Sequence, residues 1–248
     1  MRILKSEKIE FDRQSIERII VLVVIIFLES FISPDQSSLD DVMRWIFGCI
    51  AFGNRSVFIS SIIRFLLPQV GLLLLWGNYI HENVVANYEL IFTRTRKSYK
   101  VLGKYIARLF FMVTGTVFSL EVILLGIYLL KGCLIDSWFD LMLDLGLYCV
   151  YMDGVIIAVN ILSLAIRNIF SVILTLVFQL IMFEATYQLM QESFLSSIYY
   201  FMPTSPVMLV NNVGLGRGLK LIWGICLIGI AVLWFILGCQ YTSRKEYY

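Results

Sequence analysis

Charge is scarce in this sequence, and its scarcity excludes most soluble folds. Charged residues make up 15% of the 248 positions and hydrophobic residues 59%, whereas about a quarter of a soluble domain is charged. The formal net charge of +2 is too small to indicate nucleic-acid binding, and the basic residues lie beside apolar runs rather than along one surface. We therefore expect an integral membrane protein that binds no nucleic acid.

Residues suited to catalysis or metal binding are equally few. His81 is the single histidine, and zinc needs three or four protein ligands, so no metal site is predicted. The five cysteines form no CxxC pair, which argues against a zinc motif or a disulfide framework. No GxSxG nucleophile elbow accompanies His81, and GLGRGLK at 214–220 lacks the GxxxxGK[ST] spacing that binds phosphates. The sequence predicts neither a catalytic residue nor a cofactor in this chain.

Long apolar runs are abundant instead. A spanning helix needs about 20 mostly apolar residues, because about 30 Å of hydrocarbon must be crossed at 1.5 Å per residue. The sequence predicts a single all-α transmembrane domain over residues 1–248, which begins with an amphipathic segment at 1–15. Six runs qualify as spans, at 16–33, 57–80, 107–130, 139–166, 168–187 and 219–239.

The placement of lysine and arginine predicts the orientation of these spans. Basic residues concentrate before the first span, in the loop 81–106 and after the sixth span. Cytoplasmic segments carry the excess of Lys and Arg, so we expect both termini and this loop in the cytoplasm of a plasma-membrane protein. On the outer side, 34–56 is predicted as a loop and 131–138 as a short turn. The outer segment 188–218 is predicted to be a re-entrant hairpin between spans five and six, broken at Pro203 and Pro206.

The loop 81–106 carries the most distinctive pattern. Apolar residues at three-to-four spacing predict a short amphipathic helix near the membrane surface, and a dense basic cluster follows it. Attraction to anionic lipid would by itself account for the basic cluster. The run Glu82, then ELIFTR at 89–94, then LGK at 102–104, between the second and third spans, resembles the membrane subunit of ABC-2 type exporters. Bacteriocin and peptide-antibiotic transporter permeases are similar members of that group, and Arg94 stands where proline is usual.

The resemblance implies a permease subunit with partners. It implies a second membrane subunit, identical or paralogous, and separate ABC ATPase subunits that hold ATP and Mg. The cargo would be a peptide, a lipid-linked molecule or another amphipathic substrate, moved outward. A cytoplasmic coupling helix would dock into the ATPase through Glu82, Val85, Tyr88, Glu89, Ile91, Phe92 and Arg94. The alternative is a membrane immunity or sensor protein that binds an antimicrobial peptide without transporting it, and co-purification with an ATPase distinguishes the two.

Polar residues near the middle of the spans are further candidates. Asp153 lies near the centre of the fourth span, Asn160 falls close to the same helix face, and Gln179 in the fifth span is a plausible partner. A charge at the bilayer centre costs at least about 2.5–3.5 kcal/mol unless it faces protein or water. These three residues therefore either hold helices together or form a polar wall of an export path.

A second polar group is predicted in the outer half of the membrane. Arg64 is a basic residue well inside the second predicted span, and four acids lie at comparable depth: Glu29, Glu121, Asp144 and Glu184. Arg64 is expected to pair with at least one of them around an outer vestibule. For Glu29 and Glu184, simple snorkelling towards the headgroups is the alternative.

Overall fold

Regular structure in this protein is helical wherever the structure describes it. The computed structural model describes residues 39–47, 55–85, 98–191, 204 and 217–244, together with five separate positions, Ile16, Ile20, Val23, Val24 and Phe27. Within these ranges five helices are long and apolar enough to cross a membrane, namely Phe58–Asn83, Val101–Leu130, Trp138–Leu162, Asn168–Leu189 and Gly218–Tyr241. The chain is therefore an all-helical, multi-pass membrane protein in its described part.

The predicted spans two to six correspond to these five helices. The first predicted span, 16–33, lies almost wholly outside the described residues. Its five described positions are helical, and their side chains are exposed. They recur at three-to-four spacing, which places them on one helix face.

A π-helical turn at His81–Val85 follows the second α-helix of the described chain. We label them α1 (Leu39–Phe47), α2 (Arg55–Trp76), α3 (Ser98–Leu130), α4 (Trp138–Leu162), α5 (Asn168–Gln191) and α6 (Arg217–Arg244). Two sequence-based expectations are corrected. The outer connection 34–56, expected to be a loop, contains α1, and the helix of the third span, expected from 107, begins at Ser98. The segment 188–218 lies outside the described residues, except for its two ends and Thr204.

Helix α4 is the centre of the bundle. Buried residues occur on all of its sides, including Leu145, Tyr148, Met152, Ile156 and Val159. A helix that is apolar all round is stable only when other helices or lipid surround it. The remaining helices pack against α4, and α5 and α6 leave most of their own surface exposed and apolar.

Helices α4 and α6 run parallel and in register. Lys220 lies beside Asp144, and Gly224 and Gly238 lie beside Leu147 and Ile161. A Cβ atom at Gly238 would collide with the Ile161 side chain, so the two helices approach closely at that point. Small residues permit such approach, which strengthens packing between helices in a bilayer.

Helix α1 closes one end of the bundle. Its apolar face, which includes Val42 and Met43, is buried, and the Phe47 ring lies 4.9 Å from the Tyr148 ring of α4. The backbone N–H of Leu39 donates to the carbonyl of Leu134 at 2.7 Å, which joins α1 to the turn between α3 and α4. We call this the α1 end, and the end that contains the turn 163–167 the opposite end.

Candidate functional site

Polar side chains on α4 reach outward to every helix around it. Four of them are buried: Asp144, Tyr151, Asp153 and Asn160. Each contacts a different part of the bundle, which is how polar residues join helices where water is absent. These contacts form the candidate site.

Asp144 forms a buried ion pair with Lys220 of α6. The Lys220 Nζ donates to Asp144 Oδ1 at 2.7 Å, and the two side chains are 4% and 2% exposed. The pair lies near the α1 end, where both helices begin. Lys220 was not singled out from the sequence, because it is the last residue of the glycine-rich segment 214–220, which was considered only as a phosphate-binding motif.

Three of the four acids that were predicted near Arg64 make contacts with other residues. Glu184 pairs with Arg55 at 3.3 Å, and both of these side chains are exposed. The carboxylate of Glu121 accepts from the Cys149 thiol, with Sγ at 3.6 Å from both oxygens. This contact joins Glu121 on α3 to Cys149 on α4. Glu29 lies outside the described residues.

Gln179 belongs to a hydrogen-bonded chain across three helices. The Gln69 side chain on α2 donates to Gln179 Oε1 at 2.6 Å, and Gln179 Nε2 donates to the Tyr151 hydroxyl of α4 at 3.1 Å. All three side chains are buried. Gln179 also lines a cavity of about 400 Å³ between α4, α5 and α6. Gln179 was recognised in the sequence as a polar residue inside an apolar run, whereas its partner Gln69 was not singled out.

Asn160 joins α4 to the end of α2 at the opposite end of the bundle. Its Oδ1 accepts from the backbone N–H of Ile80 at 2.9 Å, and its Nδ2 donates to the carbonyls of Trp76 and Ile156 at 2.8 and 2.9 Å. One side-chain amide thus satisfies backbone groups on both sides of the break between α2 and the π-helical turn. It fixes the position of this break on the central helix.

Gly77 forms the break itself. A Cβ atom at this position would lie 2.5 Å from the carbonyl oxygen of Leu73, a backbone atom that no side-chain rotation can move away. We expect Gly77→Ala to lower the free energy of unfolding by about 1–3 kcal/mol, in the range of other overpacked sites. Unfolding in SDS of the purified protein measures this.

Gly115 on α3 is the matched control, because a Cβ atom there meets nothing within 4 Å. Gly115→Ala should be neutral or stabilising by about 0.5–1 kcal/mol, as alanine favours a helix over glycine. Equal effects of the two substitutions would show that the Gly77 contact is not under steric constraint.

Asp153 faces α3. The Thr114 hydroxyl donates to Asp153 Oδ2 at 2.7 Å. The three residues that we expected on one polar wall therefore face different neighbours: Asp153 faces α3, Asn160 faces the end of α2, and Gln179 faces Gln69 and Tyr151. These hydrogen bonds do not join the three residues to one another.

The predicted coupling residues are described only in part. Glu82 lies in the π-helical turn with an exposed side chain, and accepts from the Asn78 amide at 2.7 Å. Val85 ends the same turn. The other predicted coupling residues lie outside the described residues: Tyr88, Glu89, Ile91, Phe92 and Arg94.

Comparison with known proteins gives no relative. No family model, no curated protein and no solved structure matches the chain. Within the described ranges, no group of three or more His, Cys, Asp or Glu side chains is placed to hold a metal ion. The class that the fold defines is thus an all-helical multi-pass membrane protein.

Proposed function

We propose that this chain is the membrane-spanning permease subunit of an ATP-driven exporter of the ABC-2 type, with ATP hydrolysis on a separate subunit. Two membrane subunits would pair with two ATPase subunits in the plasma membrane. Both termini and the segment between α2 and α3 would lie on the cytoplasmic side. The cargo would be a peptide, a lipid-linked molecule or another amphipathic compound.

The break between α2 and the π-helical turn is the observation that supports this proposal most directly. The break is held on both sides. Asn160 attaches it to α4 through Ile80 and Trp76, and the Tyr79 ring contacts the Tyr105 ring of α3 at 6.3 Å. A docking element needs such attachments, because force applied to it must reach the spans.

Charge at the same end of the bundle also favours a protein partner. Glu82 and Lys104 are exposed on either side of the segment 86–97. The sequence predicts an apolar ridge at Tyr88, Ile91 and Phe92 within this segment, and exposed charges around such a ridge would steer a partner and fix its register. The resemblance of 82–104 to the coupling region of ABC-2 permeases supports an ABC ATPase as the partner class.

The test is capture of the ATPase. Affinity purification of the tagged chain from its native membranes should co-purify a polypeptide with Walker motifs. The double substitution Tyr88→Ala with Phe92→Ala should reduce that capture at least tenfold while the chain stays folded, because the apolar ridge supplies the central contacts of the interface.

The matched control removes two exposed apolar side chains elsewhere. Ile169 and Ile173 lie on the outer surface of α5, and replacing both with alanine should leave capture unchanged. Failure to capture any ATPase, or capture unaffected by the Tyr88 and Phe92 substitutions, would contradict the assignment. Binding of a peptide without an ATPase would favour an immunity or sensor protein.

A further inference from the structure

A cavity of about 330 Å³ lies between α3, α4 and α6, about midway along the bundle. Phe110 and Phe111 of α3 line one side of it, and Ile228 and Phe235 of α6 line another. The Phe235 ring rests near Gly103, where a Cβ atom would lie 3.3 Å from the ring. Phe111 is also exposed at the surface of the described bundle, so one side of the cavity lies next to that surface.

Asp153 is the one polar residue in the lining of this cavity. Its side chain is buried, with 1% exposed. Oδ2 accepts from Thr114, while Oδ1 is buried and has no hydrogen-bond partner among the residues that the structure describes. The lining thus holds one carboxylate oxygen that lacks a donor.

The chemistry of the lining selects a ligand class. An isolated carboxylate at this depth costs at least about 2.5 kcal/mol, and elsewhere in the bundle the comparable Asp144 is matched by the Lys220 ammonium. A ligand with an N–H-bearing cation would match Asp153 in the same way. Aromatic faces attract cations further, and the other lining residues suit an apolar body.

We propose that this cavity binds a lipophilic cation, a single protonated amine carried on an apolar body, with Asp153 as its counter-ion and Phe110, Phe111 and Phe235 around it. The volume is at the lower end of the range for small-molecule sites, about 300–1,000 Å³, so the bound part is small. That this cation is the exported substrate rests on the proposed function, whereas its binding does not.

Binding can be measured on the chain alone. The full-length protein in phosphatidylcholine nanodiscs is titrated calorimetrically with 4-phenylbutylamine, and with 4-phenylbutanol as the uncharged probe of similar shape. We expect the amine to bind at least tenfold more tightly than the alcohol. Asp153→Asn should remove that preference, because the asparagine has no charge to offer the amine.

Glu121→Gln is the matched control, since Glu121 is also buried within a span but contacts Cys149 and does not line the cavity. It should keep the preference for the amine. Ala231→Leu fills the cavity without changing Asp153 and should weaken amine binding at least tenfold, which keeps the test valid if the Asp153 variant fails to fold.

Equal binding of amine and alcohol, or amine binding that survives both the Asp153 and the Ala231 substitutions, would overturn the proposal. The nanodisc titration contains no ATPase, so it tests the binding site separately from the proposed function. Amine binding together with a failure to capture an ATPase would support the binding site and contradict its role in export. ATPase capture without amine binding would contradict the binding site and leave the proposed function standing.

Discussion

Lys220→Met should lower the free energy of unfolding by about 3–5 kcal/mol, the range for removing one partner of a buried ion pair. The substitution keeps the length of the side chain but leaves the Asp144 carboxylate buried without its ammonium partner. The loss would be measured by SDS-induced unfolding of the purified protein and by its thermal stability in detergent. Lower yield of folded protein in the membrane should accompany it.

The double substitution Asp144→Asn with Lys220→Met should recover most of this loss, because no charge then remains buried. The exposed pair Arg55 and Glu184 is the control. Arg55→Met should change stability by about 1 kcal/mol at most, since exposed ion pairs contribute little. If Lys220→Met and Arg55→Met have equal effects, the Asp144 contact is not the buried pair described above.

Asn160→Leu is expected to lower the free energy of unfolding by about 2–4 kcal/mol. The backbone N–H of Ile80 and the carbonyl of Trp76 both lose their partner, and each unsatisfied buried group costs about 1–3 kcal/mol. If the break transmits motion from an ATPase, this variant should also lose transport while it still captures the ATPase.

Ser163→Ala provides the comparison for Asn160. The Ser163 hydroxyl donates to the carbonyl of Asn160 on its own helix, so its removal leaves the contact with α2 intact. Its effect should stay below about 1 kcal/mol, near the net value of one ordinary hydrogen bond. A fully stable Asn160→Leu protein would mean that the break is held by other contacts.

The sequence was sufficient to predict the five described spans and insufficient to predict the partners of their polar residues. Windows of about 20 apolar residues identified α2 to α6 because the bilayer fixes the length of a span. Asp144 and Asp153 were visible for a similar reason, as charges in apolar runs are rare. Their partners, Lys220 and Thr114, depend on the register and rotation of neighbouring helices, and no pattern within one helix contains that information.

The sequence-based prediction missed helix α1 for a different reason. Its apolar residues Leu39, Val42, Met43, Ile46 and Phe47 follow the spacing of an amphipathic helix, so the local signal was present. With 9 residues it is too short to span, and a search directed at spans passes over it. The early start of α3 was missed because its first turns are basic, although lysine and arginine are good helix formers.

The closure of the α1 end bears on the route by which a small molecule reaches the interior. Val42, Met43 and Phe47 are packed at that end, whereas Phe111 in the lining of the 330 Å³ cavity is exposed, which favours sideways access from the membrane. A ligand would then dissolve in the bilayer first and bind from there. Its concentration in lipid, rather than in water, would set occupancy, and each added methylene would raise apparent affinity by about 0.8 kcal/mol through partitioning alone.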